Sequence, residues 1–122
     1  VRLCERERIC EEDAGRLRWL DAFGALTANT DRHQYNILFF PGEGALTLAP
    51  AFDHVAMHYA PSSDSQVQSN PMPLPVQTAE TLDVWESARA AAAEFWSRAG
   101  DDHRLSDDMR QVASRNLNVV RA

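Results

Sequence analysis

Residues 37–40 and 45–48 are short apolar runs split by Pro41-Gly42-Glu43-Gly44, and few folds can hold them where they stand. Runs this brief, closed by proline and glycine, predict a β-hairpin. Ile37, Leu38, Phe39 and Phe40 are apolar on both faces, which predicts a well-buried hairpin. The remaining regular pattern is helical. In residues 11–28, Leu17, Leu20, Phe23 and Leu26 recur near helical spacing with Trp19 beside them, and Gly24 permits close packing. Upstream, residues 2–13 alternate in charge and read as an exposed helical extension or arm.

A second helix is expected over residues 79–98, with Thr78 as N-cap and a stripe of Leu82, Trp85, Ala88, Ala92, Phe95 and Trp96. That aromatic set reads as core packing. A third helix should start after Ser106, where Asp107 and Asp108 suit the positive end of a helix dipole. The expected architecture is α+β and mainly helical, with one short hairpin at the mouth of a helical lobe. Residues 1–28 form a helical lead-in, and 29–59 hold a polar loop, the hairpin and a carboxylate loop. Residues 60–77 are irregular, with Pro61, Pro71, Pro73 and Pro75 among Ser62, Ser63, Ser65 and Ser69, and read as a solvated linker. Residues 78–122 close the chain as helices.

Composition narrows the function. At 122 residues with 44% apolar and 25% charged residues, the chain fits one modest domain or a piece of a larger one. A net charge of −6 with dispersed acidic residues argues against a nucleic-acid surface on this segment. All 12 basic residues are arginines, so the chain offers no lysine to a nucleotide phosphate. Cys4 and Cys10 lack disulfide or metal spacing, and no run reaches membrane length; a reduced cytoplasmic setting is the easier expectation.

The chemistry is carried by Asp31, by Asn36 five residues later, and by Asp53 beyond the hairpin. An aspartate, four residues and an asparagine, then a second aspartate on another loop, is the spacing of phosphoryl-transfer kinases. The first carboxylate takes the proton of an attacking hydroxyl, while the amide oxygen and the second carboxylate are hard ligands suited to Mg²⁺. The bland alternative is turn formation, since Asp and Asn favour turns.

Asn29-Thr30-Asp31-Arg32-His33-Gln34-Tyr35-Asn36, followed by Leu48-Ala49-Pro50-Ala51-Phe52-Asp53, resembles the signature of HipA-like serine/threonine kinases, the toxins of type II toxin–antitoxin pairs. The resemblance covers residues 16–61. It implies that Asp31 is the catalytic base, that Asn36 and Asp53 are metal ligands, and that His33 stands beside the nucleotide. It further implies ATP and Mg²⁺ as cofactors, a protein hydroxyl as acceptor, and a helix-turn-helix antitoxin or fused DNA-binding domain as partner. The fold implied is the C-lobe of a kinase-like protein, with the ATP-holding lobe and its lysine expected upstream. On that reading the isolated chain is inactive and the parent protein is the enzyme. Two departures stand out: His54-Val55-Ala56 replaces a common Met-Leu-Pro, and Ala28 replaces a common glycine.

Gly42-Glu43-Gly44 is too short for a phosphate-binding loop, because Thr47 stands where a third glycine would be needed. His54 and His58 have helical metal-site spacing without a third ligand and read as ordinary half-buried histidines. Two rival functions stay open. A non-catalytic interaction module, a homodimer through the 79–98 helix, would bind no nucleotide. A Mg²⁺-dependent phosphohydrolase using Asp31 and Asp53 would release phosphate and label no protein.

Overall fold

A computed structural model describes residues 9–30, 37–41, 46–51, 54–61 and 70–122. Helix α1 (Glu11–Leu26) is followed by β1 (Phe39–Phe40), β2 (Thr47–Leu48), a 3₁₀ turn (Met57–Tyr59), α2 (Trp85–Gly100) and α3 (Asp107–Arg121). The protein is α+β and mainly helical, as its sequence predicts.

Helix α1 opens on Cys10, whose Sγ accepts the Asp13 N–H at 3.4 Å, and Glu11, Glu12 and Asp13 crowd the positive end of its dipole. It closes by reversing the chain. Ala28 adopts φ 62°, and the Asn29 N–H returns to Gly24 O at 2.9 Å. This is a Schellman cap, whose left-handed position normally takes glycine because a Cβ is disfavoured there. This chain carries the strain of an alanine there.

Helix α3 begins as predicted, with Ser106 Oγ accepting the Met109 N–H at 3.2 Å. Helix α2 starts later than its sequence pattern suggests. Residues 79–84 run as successive turns. Thr81 is buried, and its hydroxyl takes the Thr78 N–H at 3.0 Å while the Val84 N–H bonds Thr81 O at 3.1 Å. A side-chain hydroxyl that competes for backbone partners favours turns over helix. Leu82 consequently points outward, and the buried stripe is Trp85, Ala88, Ala92 and Trp96.

Strands β1 and β2 pair antiparallel, Phe39 opposite Leu48 and Phe40 opposite Thr47, and the Ala49 N–H extends the ladder to Leu38 O at 2.8 Å. The hairpin is one-sided rather than buried on both faces. Ile37, Phe39, Leu46 and Leu48 cover Ile9, Ala14 and Leu17, whereas Leu38 and Phe40 face outward. Ile9, expected in an exposed arm, is buried and makes a parallel bridge to Leu46.

The main core lies between the helices. Trp96 sits at its centre, edge-on to Tyr59 and Phe95, and donates its indole N–H to Leu26 O at 2.9 Å. That bond satisfies a carbonyl the last turn of α1 would otherwise leave unpaired. The Asn116 amide donates to the Tyr59 hydroxyl at 2.9 Å, so these two buried groups partner each other. No helix among the described residues is long and apolar enough to cross a membrane.

Candidate active site

Asp31, His33, Asn36 and Asp53 lie outside the described residues. What the fold defines is the frame around them: residues 27–30 before Asp31, the hairpin after Asn36, and the stretches on either side of Asp53.

The stretch that carries Asp53 is anchored at both ends. At its start, the Leu48 N–H donates to Asp13 Oδ2 at 2.9 Å, while the Arg16 guanidinium donates to Asp13 Oδ1 at 2.8 Å. Asp13 is buried, and the Leu48 N–H is the main reason its carboxyl titrates below the ordinary carboxylate value, with Arg16 reinforcing it against desolvation. Between the anchors, residues 48–51 wall an open cleft of about 360 Å³ with Arg16, Trp19 and Leu20 of α1. At the far end, the His54 ring lies between two side chains of the α1 exit. Its Nε2 is 3.1 Å from Thr27 Oγ1 and its Nδ1 is 3.3 Å from Asn29 Nδ2. The ring also packs on Phe23 at 5.1 Å between centroids. A main-chain bond runs alongside, from the His58 N–H to Ala28 O at 3.0 Å.

The chain entering the Asp31 loop and the chain leaving Asp53 are therefore joined directly, although 25 residues separate Asn29 from His54. The joint is backed by the main core, because Tyr59, just beyond it, is held by Asn116 and Trp96.

Sequence reasoning passed over both anchors. Asp13 was read within an exposed charged stretch, and its partner lies 35 residues away, beyond any local signal. His54 did leave a trace, as the departure from the Met-Leu-Pro pattern. It is half-buried, as expected of an ordinary histidine, but each ring nitrogen has a specified partner. His58 is likewise half-buried and donates through Nε2 to Asn70 O at 3.2 Å. Cys10 is an exposed free thiol, and Cys4 lies outside the described residues.

Among the described residues, no cluster of three or more His, Cys, Asp or Glu side chains could hold a metal ion.

No family model matches the chain, and no solved structure matches it. It is similar to Toxin YjjJ of Escherichia coli (strain K12), with 28% identity over 120 residues. That match takes in 98% of this chain and 27% of the toxin, so the chain spans about a quarter of the length of the curated relative it resembles.

Proposed function

We propose that this chain is the catalytic-loop part of a HipA-type toxin, a serine/threonine kinase that transfers the γ-phosphoryl group of ATP to a protein hydroxyl. The observation that carries the reading is the joint at His54. It ties the approach to Asp31 to the exit from Asp53, which two loops serving one phosphoryl group require. The similarity of nearly the whole chain to a toxin supports it.

In this reading the substrate hydroxyl oxygen attacks the γ-phosphorus, its proton passes to Asp31, and the bond to the bridging oxygen breaks to leave ADP. Asn36 and Asp53 would hold Mg²⁺, which would supply neutralising charge for the transferring group. His33 is assigned to the nucleotide. No lysine of this chain can meet the phosphates, so the activity is proposed for the whole gene product. An antitoxin of the helix-turn-helix class, or a fused domain of that kind, belongs to the same proposal.

The test is incubation of the full-length gene product with γ-labelled ATP and Mg²⁺, alongside Asp31→Asn and Asp53→Asn. Labelled protein that disappears in both variants is the expected result. A folded, ATP-binding wild type that transfers no label would remove the kinase reading, and free phosphate without labelled protein would favour hydrolysis.

One observation favours a second reading, an interaction module. Leu74, Val76 and Leu82 are 76%, 70% and 61% exposed on the approach to α2. The α2 stripe itself is spent inside the core, so self-association would use this approach. Sedimentation of a Leu74→Ser, Leu82→Ser variant tests it: loss of a dimer supports the module, and an unchanged monomer removes it.

A further inference from the structure

We propose that His54 is a positioning residue that fixes the approach to Asp31 against the exit from Asp53. What it positions rests on the kinase reading above; that it couples the two segments does not.

The hydrogen bonds determine the proton's place. The Thr27 hydroxyl has one hydrogen, and Phe23 O, 2.7 Å away, can only accept it. Thr27 Oγ1 must therefore accept from His54 Nε2, which carries the ring proton. Asn29 presents its amide nitrogen, which can only donate, so Nδ1 keeps its lone pair and accepts. A single tautomer satisfies both contacts, and a donor and an acceptor are held in one rigid plane. Asparagine at this position would offer a group only near Nδ1, and glutamine only near Nε2.

Placement gives these contacts a consequence. Thr27 ends α1, Ala28 turns the chain in the left-handed region, and Asn29 leads toward Asp31. His54 directly follows Asp53. Phe23 supports the ring from the last turns of α1, so the ring is anchored to a helix rather than to another loop. The bond from His58 N to Ala28 O is independent of the side chain, so removing the ring leaves the segments joined at that point and loose at Thr27 and Asn29. Residues that orient metal-binding groups from behind typically carry about 10–100-fold in metal affinity or activity.

The experiment uses the full-length gene product with His54→Ala, His54→Gln and His54→Asn, and Asp31→Asn as the inactive control. Label transfer per folded molecule is read against Mg²⁺ concentration, and amide hydrogen exchange is read in residues 27–36 and 50–58. His54→Ala is expected to lose about 10–100-fold in transfer, with half-saturation moved to higher Mg²⁺. Exchange should accelerate in both segments together, and His54→Gln should recover part of each effect through the Thr27 contact. Unchanged exchange in residues 27–36 would overturn the proposal. So would faster exchange with an unaltered Mg²⁺ dependence in an active protein, which marks a purely structural residue. If the wild type transfers no label while exchange accelerates in both segments, the kinase reading fails and the coupling through His54 stands.

Discussion

The helical core and the hairpin corner solve the same problem by different means. In the core, Trp85, Ala88, Ala92 and Trp96 of α2 meet Val112, Ala113 and Val120 of α3, with Leu26 closing from α1. Stability there comes from apolar area, and the polar links from Trp96 and Asn116 satisfy groups that burial would orphan. Among the described residues, the buried apolar side chains of the corner are Ile9, Ala14 and Leu17. Its register is set by one buried carboxylate, since Asp13 takes the Leu48 N–H in a fixed direction. Nonpolar area holds an element down without fixing its position along a groove, whereas a directed bond fixes position at little area. The corner fixes where the chain runs on into residues 48–51.

The contrast can be broken hardest at Trp96. Trp96→Ala should cost about 3–5 kcal/mol and lower the denaturation midpoint of core and hairpin alike, read by chemical unfolding. Leu17→Ala should cost about 2 kcal/mol, near the lower end for buried leucines because a thin corner collapses readily. Its signature is local: hairpin amides lose exchange protection while α2 and α3 keep theirs. Equal loss everywhere would mean the two regions are one unit. Ala28→Gly should stabilise the protein by about 1 kcal/mol by relieving the left-handed Cβ, seen as a higher midpoint. An unchanged or lower midpoint would mean that the cap is not strained.

The smallest effect under ordinary conditions concerns Asp13. Its folded carboxyl titrates below the ordinary 3.8, so its contribution is fully present above that value and is lost as pH falls through the lower folded one. Hairpin amides should lose protection below about pH 4 while core amides do not, and Asp13→Asn should remove the difference in pH response. Matching pH profiles in the two regions would refute a special role for the carboxylate.

The same division governs what could be read from the sequence. Helix α3 was legible because Ser106, Asp107 and Asp108 form a local start signal. The body of α1 was legible from its leucine spacing. The onset of α2 was not, because the Thr81 N–H and hydroxyl both take Thr78 O, the carbonyl an α-helix would offer to residue 82, and a propensity for residues 79–84 cannot register that. Leu38 and Phe40 were assigned to a buried face because apolar character does not reveal which side of a two-stranded ribbon is covered. The Asp31, Asn36 and Asp53 spacing is a pattern of the sequence alone, since the three lie outside the described residues. The joints that frame it, Asp13 to Leu48 and His54 to Asn29, depend on contacts 35 and 25 residues apart and left only the His54 departure as a hint.

Helix α1 belongs to both regions. Ala14 and Leu17 sit in the corner, and Ala22 and Leu26 in the core. Its 16 residues span about 24 Å as a stiff rod. A tilt of about 5° at one end therefore shifts the other by roughly 2 Å. The two neighbourhoods behave as the pans of a balance beam: reshaping either one re-levels the other, and the Thr27–Asn29 exit that meets His54 inherits the tilt.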